Sequence, residues 1–283
     1  MLLNPCQKRS EAVYRPRRPE KTDLFKVIKK HYQTWKQQAT HPIKKHVEKV
    51  FEKYLQCGNP AYGFACAHCS CCNTNFFIPF SCKGRGLCPS CNARTMAATA
   101  AHLVDNVIPL VKTRQWVISF PFCIRNYLLQ HSHLQNVLQI VIEEIRKTII
   151  ASSPDIPNAQ IGAVSFFHNF GSTLNLHPHF HLIAAEGVFS LEGEMLQFNE
   201  THISNGDIKI TEERICKGVL RYFGKRKCLS TTEIEKILAK ENSGFSLDGS
   251  VQIQSWDRPG LERIQKLIPP IRPRFAKIPQ RSA

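Results

Sequence analysis

Residues 176–183 read Leu176-His177-Pro178-His179-Phe180-His181-Leu182-Ile183, with a histidine at every second position of a run otherwise suited to a buried strand. Side chains alternate faces along a strand, so His179 and His181 project to one side and Phe180 and Leu182 to the other. Two imidazoles held side by side on rigid backbone make half of a divalent-metal site, and imidazoles set among apolar neighbours need such a partner. A lone histidine here would be read as core packing; an i, i+2 pair between Leu and Ile carries more.

Around that strand the pattern continues as a sheet. Thr113–Phe120 is rich in strand formers and closed by Pro121, and Ile161–His168 is a second such run. Between them Leu134, Val137, Leu138, Val141, Ile145 and Ile149 mark a long amphipathic helix. A turn is expected near Gly187 or Gly193, a helix over Thr211–Phe223, a strand over Phe245–Ile253 and a short helix over Gly260–Leu267. Upstream, Thr22 caps a helix carrying Leu24, Val27, Ile28, His31 and Trp35. Pro42 is placed at the first position of a second helix that Gly58 stops, and residues 96–108 form an alanine-rich third. The fold class is α+β: N-terminal helices and a zinc ribbon, then an antiparallel sheet with helices on one face.

The ribbon reading comes from the cysteines. Of twelve, seven crowd between Cys66 and Cys91. In a chain that starts MLLNPCQKRS, without the apolar core of an export signal, such clustering argues for zinc over disulfides and places the protein in the cytoplasm. Cys69-x2-Cys72 and Cys88-x2-Cys91 each let one tight turn present two thiolates, and two turns close a tetrahedral site. Cys57, Cys66, Cys71 and Cys82 are read as buried thiols ahead of extra ligands.

A formal charge of +16 attracts polyanions, nucleic acid first among them. The contacts expected are Lys83 and Arg85 in the loop between the cysteine pairs, beside Phe76, Phe77 and Phe80. To these are added Arg15, Arg17 and Arg18 in a proline-broken arm. The basic cluster Arg221, Lys225, Arg226 and Lys227 is an equal match for a solvated surface. No apolar run reaches membrane-spanning length.

Metallo-β-lactamase-type sites want an acid two positions after the second histidine, where Ile183 stands, and the HExxH pattern is absent. What remains is the His-hydrophobe-His pair of HUH endonucleases. The chain resembles the rolling-circle insertion-sequence transposases of the two-tyrosine HUH type with an N-terminal zinc-binding domain. Six collinear segments carry the resemblance: Tyr14–Thr22, Phe80–Cys91, Thr95–Asp105, Arg114–Phe122, Phe170–Phe189 and Gly244–Arg263. It implies that His179, His181 and a third ligand hold Mg²⁺ or Mn²⁺ at the scissile phosphate of single-stranded DNA. It also implies that a tyrosine attacks, leaving a 5′-phosphotyrosine and a 3′-OH. His177, Glu186 and His168 are candidates for the third ligand. Only Tyr222 follows the histidine motif, without a second tyrosine one helical turn away, and it is the one nucleophile candidate. The ending IPPIRPRFAKIPQRSA departs from the family pattern and reads as a truncated or frameshifted copy.

The expected layout is a basic arm over 1–20, a helical and zinc-binding domain over 21–108 with its ribbon at 57–95, an HUH-like domain over 109–268, and an irregular tail over 269–283. Three functions fit: a transposase whose nucleophile is missing, a non-enzymatic zinc-dependent DNA-binding remnant, and, on charge alone, an RNA-binding ribbon.

Overall fold

The computed structural model describes residues 18–70, 73–84, 86–171, 173, 175–193, 195–267 and 274–276. The chain divides into two compact units, residues 1–98 and 99–283, each with its own core.

In the first unit, α1 (Asp23–Gln38) starts at Thr22, whose hydroxyl accepts from the Phe25 N–H, as the capping pattern anticipates. The second helix, α2 (Lys45–Gln56), starts three residues after Pro42, so that proline precedes the helix and does not open it. It ends where expected: Cys57 caps it and Gly58 takes φ +74°. The antiparallel hairpin of β1 (Phe64–Cys69) and β2 (Thr74–Pro79) follows. Next comes α3 (Pro89–Asn106), which begins one turn and more before the expected Met96, directly on the second cysteine pair. Phe25, Ile28, Tyr32 and Tyr54 form a small core with Cys57, Cys88 and Cys91, and Tyr32 stacks on Phe51 at 4.9 Å.

The second unit is built on a sheet of β3 (Thr113–Ser119), β4 (Ala163–Phe170), β5 (Leu176–Ala185), β8 (Ser246–Asp248), β9 (Gln252–Ile253) and β10 (Arg274–Ala276). Its order is β10-β4-β5-β3-β8, with β9 also on β3, and all pairs are antiparallel. A separate hairpin, β6 (Gly187–Glu192) with β7 (Met195–Glu200), leaves the end of β5. Its first residue must be glycine, because a Cβ on Gly187 would lie 2.3 Å from the Asn199 carbonyl oxygen. Among the described residues the unit also carries the short α4 (Phe122–Arg125), α5 (His131–Ala151), α6 (Asn205–Lys225) and α7 (Thr231–Leu238). A fifth, α8 (Arg258–Leu267), follows β9. The last six residues of β5 and their neighbours give the sheet two different faces. Trp116, Ile118, Phe180, Leu182 and Ala184 pack with Val137, Val141, Ile145 from α5 and Ile215, Val219, Phe223 from α6. On the opposite face Val164, Phe166 and Ile183 meet Leu103 and Val104 of α3 and Leu261 of α8. The α+β class is therefore as expected, with the addition that helices also reach one end of the second face. Helix α6 begins earlier than the apolar pattern suggested, at Ser204, where a capping box with Asp207 satisfies the first turn. No helix among the described residues is long and apolar enough to cross a membrane.

Candidate metal centres

Four cysteines in the first unit converge: Cys57 from the end of α2, Cys82 after the hairpin, and Cys88 and Cys91 at the start of α3. Their sulfurs stand 3.8 Å (Cys57–Cys88), 3.7 Å (Cys57–Cys91) and 3.6 Å (Cys82–Cys91) apart. Disulfide sulfurs would be about 2.05 Å apart. Four ligands at a Zn–S distance of about 2.3 Å make a tetrahedron with edges of about 3.8 Å, which is this arrangement. Backbone N–H groups of Cys82 and Gly84 point at Cys57 Sγ and Cys82 Sγ, both at 3.3 Å, and Lys83 contributes a backbone hydrogen bond to Cys91. To aim that amide Lys83 takes φ +50°. Burial pushes the Cys88 thiol up to about 11 and raises Cys82 further. Burial opposes ionisation of Cys91 too, but hydrogen bonds from Cys82, Cys57 and Cys88 together hold it below the usual thiol value. Zn²⁺ bound at the four sulfurs would favour the thiolate form that burial of Cys82 and Cys88 opposes.

This group differs from the expected ligand set. Cys88 and Cys91 are in the cluster, but Cys57 and Cys82 complete it. Cys69 ends β1 outside the cluster, and Cys72 lies outside the described residues. Spacing favoured the two CxxC pairs; nothing local marked Cys57, thirty-one residues from Cys88, as more than a helix-end thiol.

In the second unit the strand register does the equivalent work. His179 and His181 lie on one face of β5, and His168 of β4 sits directly across from His179. Ligand nitrogens of all three come within 4.8 Å of one another, and the rings of His168 lie 4.8 and 4.6 Å from those of His179 and His181. Burial, with the neighbouring histidines adding, depresses His168 to about 3 and His181 to about 4, so both are neutral ligands at neutral pH. His179 Nδ1 donates to the His177 carbonyl at 2.6 Å, which leaves Nε2 as its bare lone pair. The Gln115 side-chain nitrogen Nε2 stands 2.9 Å from His181 Nδ1 and ties that ring to β3. His168 Nε2 is buried with no hydrogen-bond partner, a cost that a metal bond would remove. Three neutral imidazoles on rigid strands fit a borderline divalent ion.

Of the three candidates for third ligand, His168 is the one grouped with His179 and His181 among the described residues. Glu186 is fully buried and occupied by Arg114, Lys112 and Gln252. His177 packs 5.4 Å from His179, ring to ring, outside the three-histidine group. Beside it lies Arg125, which sequence reasoning passed over. Its Nε donates to the Phe120 carbonyl at 2.9 Å and its Nη1 to that of Leu176 at 3.4 Å. That pins a positive charge near His177, which is itself lowered first by burial and then by this neighbour.

The remaining expected residues scatter. Tyr222 donates to or accepts from His133 Nδ1 at 2.9 Å and packs on the core that contains Phe180 and Leu182. That is the face opposite the histidines, so Tyr222 does not reach them. Lys83 and Arg18 are exposed, whereas Arg15, Arg17 and Arg85 lie outside the described residues.

Two family models match the chain: a transposase zinc-binding domain over residues 27–120 and a putative transposase over residues 162–260. Over these two segments the chain is similar to IS91-type transposases. A putative transposase of Sinorhizobium fredii is 27% identical over 179 residues. The match covers 62% of this chain and 42% of that relative, so the chain spans about two fifths of its relative's length. No solved structure matches it. The four-sulfur tetrahedron falls inside the zinc-binding match, and all three histidines fall inside the second.

Proposed function

We propose that this chain binds DNA through its zinc module and, at His168, His179 and His181, holds the divalent ion of a strand-cleaving and rejoining transposase. The observation that carries the reading is the convergence of three imidazoles from two paired strands, inside the segment that matches a transposase model. Mg²⁺ or Mn²⁺ bound there would act as a Lewis acid on a scissile phosphate, and the all-nitrogen donor set favours Mn²⁺. The protein's own contributions are orientation and charge. The His177 carbonyl and Gln115 aim the ligands, and Arg125 offers a fixed cation to an adjacent phosphate of the single-stranded element end. A tyrosine oxygen attacks phosphorus and the 3′-oxygen leaves, giving a 5′-phosphotyrosine and a free 3′-OH, in the rolling-circle manner. The two described tyrosines of this unit, Tyr127 and Tyr222, both pack on the helical face, so the nucleophile comes from elsewhere. By this reading residues 21–108 grip DNA, 109–268 hold the ion, and the arm over 1–20, with Arg15, Arg17 and Arg18, adds phosphate contacts. The work is done in the cytoplasm.

The placement of those tyrosines favours one second reading, a zinc-dependent DNA-binding protein that does not cleave. Purified chain, Mn²⁺ and an end-labelled single-stranded oligonucleotide on a denaturing gel separate the two. A label that stays on the protein, survives Tyr222→Phe and is lost in His179→Ala and His181→Ala supports cleavage. A salt-sensitive gel shift with no adduct supports the second reading. Failure to bind DNA at all would sink both.

A further inference from the structure

The zinc module carries a feature that neither metal centre uses. Beside Cys57 is a cleft of about 570 Å³, lined by Phe25, Leu55, Gly58, Pro60, Tyr62 and Lys29, with Glu20 and Asn59 on its wall. Its volume lies in the range of about 300–1,000 Å³ usual for small-molecule sites. Tyr62, in the short turn Pro60–Tyr62, is 57% exposed. Two residues on, β1 begins with Phe64, 48% exposed, whose ring meets that of Phe77 on β2 edge-to-face at 5.4 Å. Phe77 is 60% exposed. A single exposed aromatic is unremarkable, but three within one turn and the hairpin that follows it, one of them lining a cleft, leave a concentration of apolar surface in water.

We propose that this face binds single-stranded DNA, one unpaired base entering the cleft against Tyr62 and the next stacking on Phe64 and Phe77. The inference deepens the DNA-handling reading above and rests on it. Three observations favour this occupant over a protein partner. The exposed rings sit on a short turn and a paired hairpin, and flat faces presented in this way suit bases taken singly. Lys29 lines the same cleft with no ion pair among the described residues, so a backbone phosphate at the mouth finds a free cation. Glu20 and the side chain of Asn59 put hydrogen-bonding groups on an otherwise apolar wall, as base-edge contacts require. Cys57 belongs both to the sulfur tetrahedron and to the cleft wall, so the ion that folds the module also shapes the site.

The test uses the full chain with zinc and a fluorescein-labelled 15-mer, with the 15-mer length of order ~4–16 nucleotides per site, followed by anisotropy. A second probe carries 2-aminopurine, whose fluorescence is quenched on stacking. Tyr62→Ala and Phe77→Ala, both at exposed positions, are each expected to weaken binding about 5- to 100-fold and to abolish the quench, with the salt slope unchanged. Lys29→Ala should lower the salt slope by about one phosphate while the quench persists. Tyr62→Phe should bind as the parent does, which separates loss of a ring from loss of folding, and zinc content is measured on every variant. Parent-like affinity and quenching in both alanine variants would overturn the inference and leave the transposase reading standing. Tighter binding of the same-sequence RNA or of duplex DNA, with the same sensitivity to Tyr62→Ala, would overturn the choice of occupant. Absence of any binding by the parent would overturn both readings.

Discussion

Cys57→Ser is the substitution that most directly tests how the first unit is held together. Its buried core has seven side chains, three of them cysteines; the rest are Phe25, Ile28, Tyr32 and Tyr54. Burying each of those four contributes about 1.5–3 kcal/mol, on the order of 6–12 kcal/mol together. A structural zinc site contributes about 10–16 kcal/mol, as much as or more than the apolar core. Sulfur separations of 3.6–3.8 Å already match the zinc-bound geometry, so the folded unit spends nothing on rearranging to take the ion. Replacing one sulfur by oxygen therefore removes the larger stabilising contribution and leaves three buried or half-buried thiols whose ionisation burial opposes. The expected outcome is loss of one zinc per chain by elemental analysis and rapid proteolysis within residues 18–98. The second unit, which has its own core, should resist the protease as before. Parent-level zinc content with parent-level protection in Cys57→Ser would refute this assignment and return the site to Cys69 and Cys72.

The histidine centre makes its own prediction: His168→Ala should weaken Mn²⁺ binding, measured by EPR of the free ion, more than Gln115→Ala does. The latter, which disturbs only the aim of His181, is expected to cost about 10- to 100-fold. Equal, parent-like affinities would place the ion elsewhere. Glu186→Ala leaves Arg114 buried without its carboxylate and should lower the unfolding free energy of the second unit by about 3–5 kcal/mol in urea. A change under about 1 kcal/mol, the scale of an exposed pair, would mean that water reaches the pair. Ser204→Ala should cost about 1 kcal/mol through the α6 cap. Hydrogen bonds from the Ser204 hydroxyl and then its backbone N–H hold Asp207 below the usual carboxylate range. The cap's contribution is thus present above the unfolded carboxylate pKa and fades as the pH falls through the lowered one. A difference between parent and variant that persists unchanged at pH 2 would contradict that linkage.

Local periodicity was enough to settle several features from the sequence. Alternation along 176–183 put two histidines on one face and Phe180 and Leu182 on the other, because a strand allows nothing else. Helix α1 was readable from Thr22 and its apolar spacing, and the stop of α2 from Gly58. The presence of a thiolate zinc site followed from the crowding of cysteines, since turns that offer paired sulfurs are local objects. What required the tertiary structure was every choice between residues far apart in the chain. Cys57 and Cys82 close the tetrahedron because α2 and the β1–β2 hairpin bring their ends together across a small core. His168 joins His179 and His181 because the β4–β5 register sets it opposite His179; a one-residue slip would have turned it to the other face. Tyr222 leaves the site for the same kind of reason. Its helix buries Ile215, Val219 and Phe223 against the Phe180 side of the sheet, and the tyrosine goes with them. Composition and spacing supply the ligand types, while sheet register and core packing select which of them meet, because those depend on contacts the linear chain does not contain.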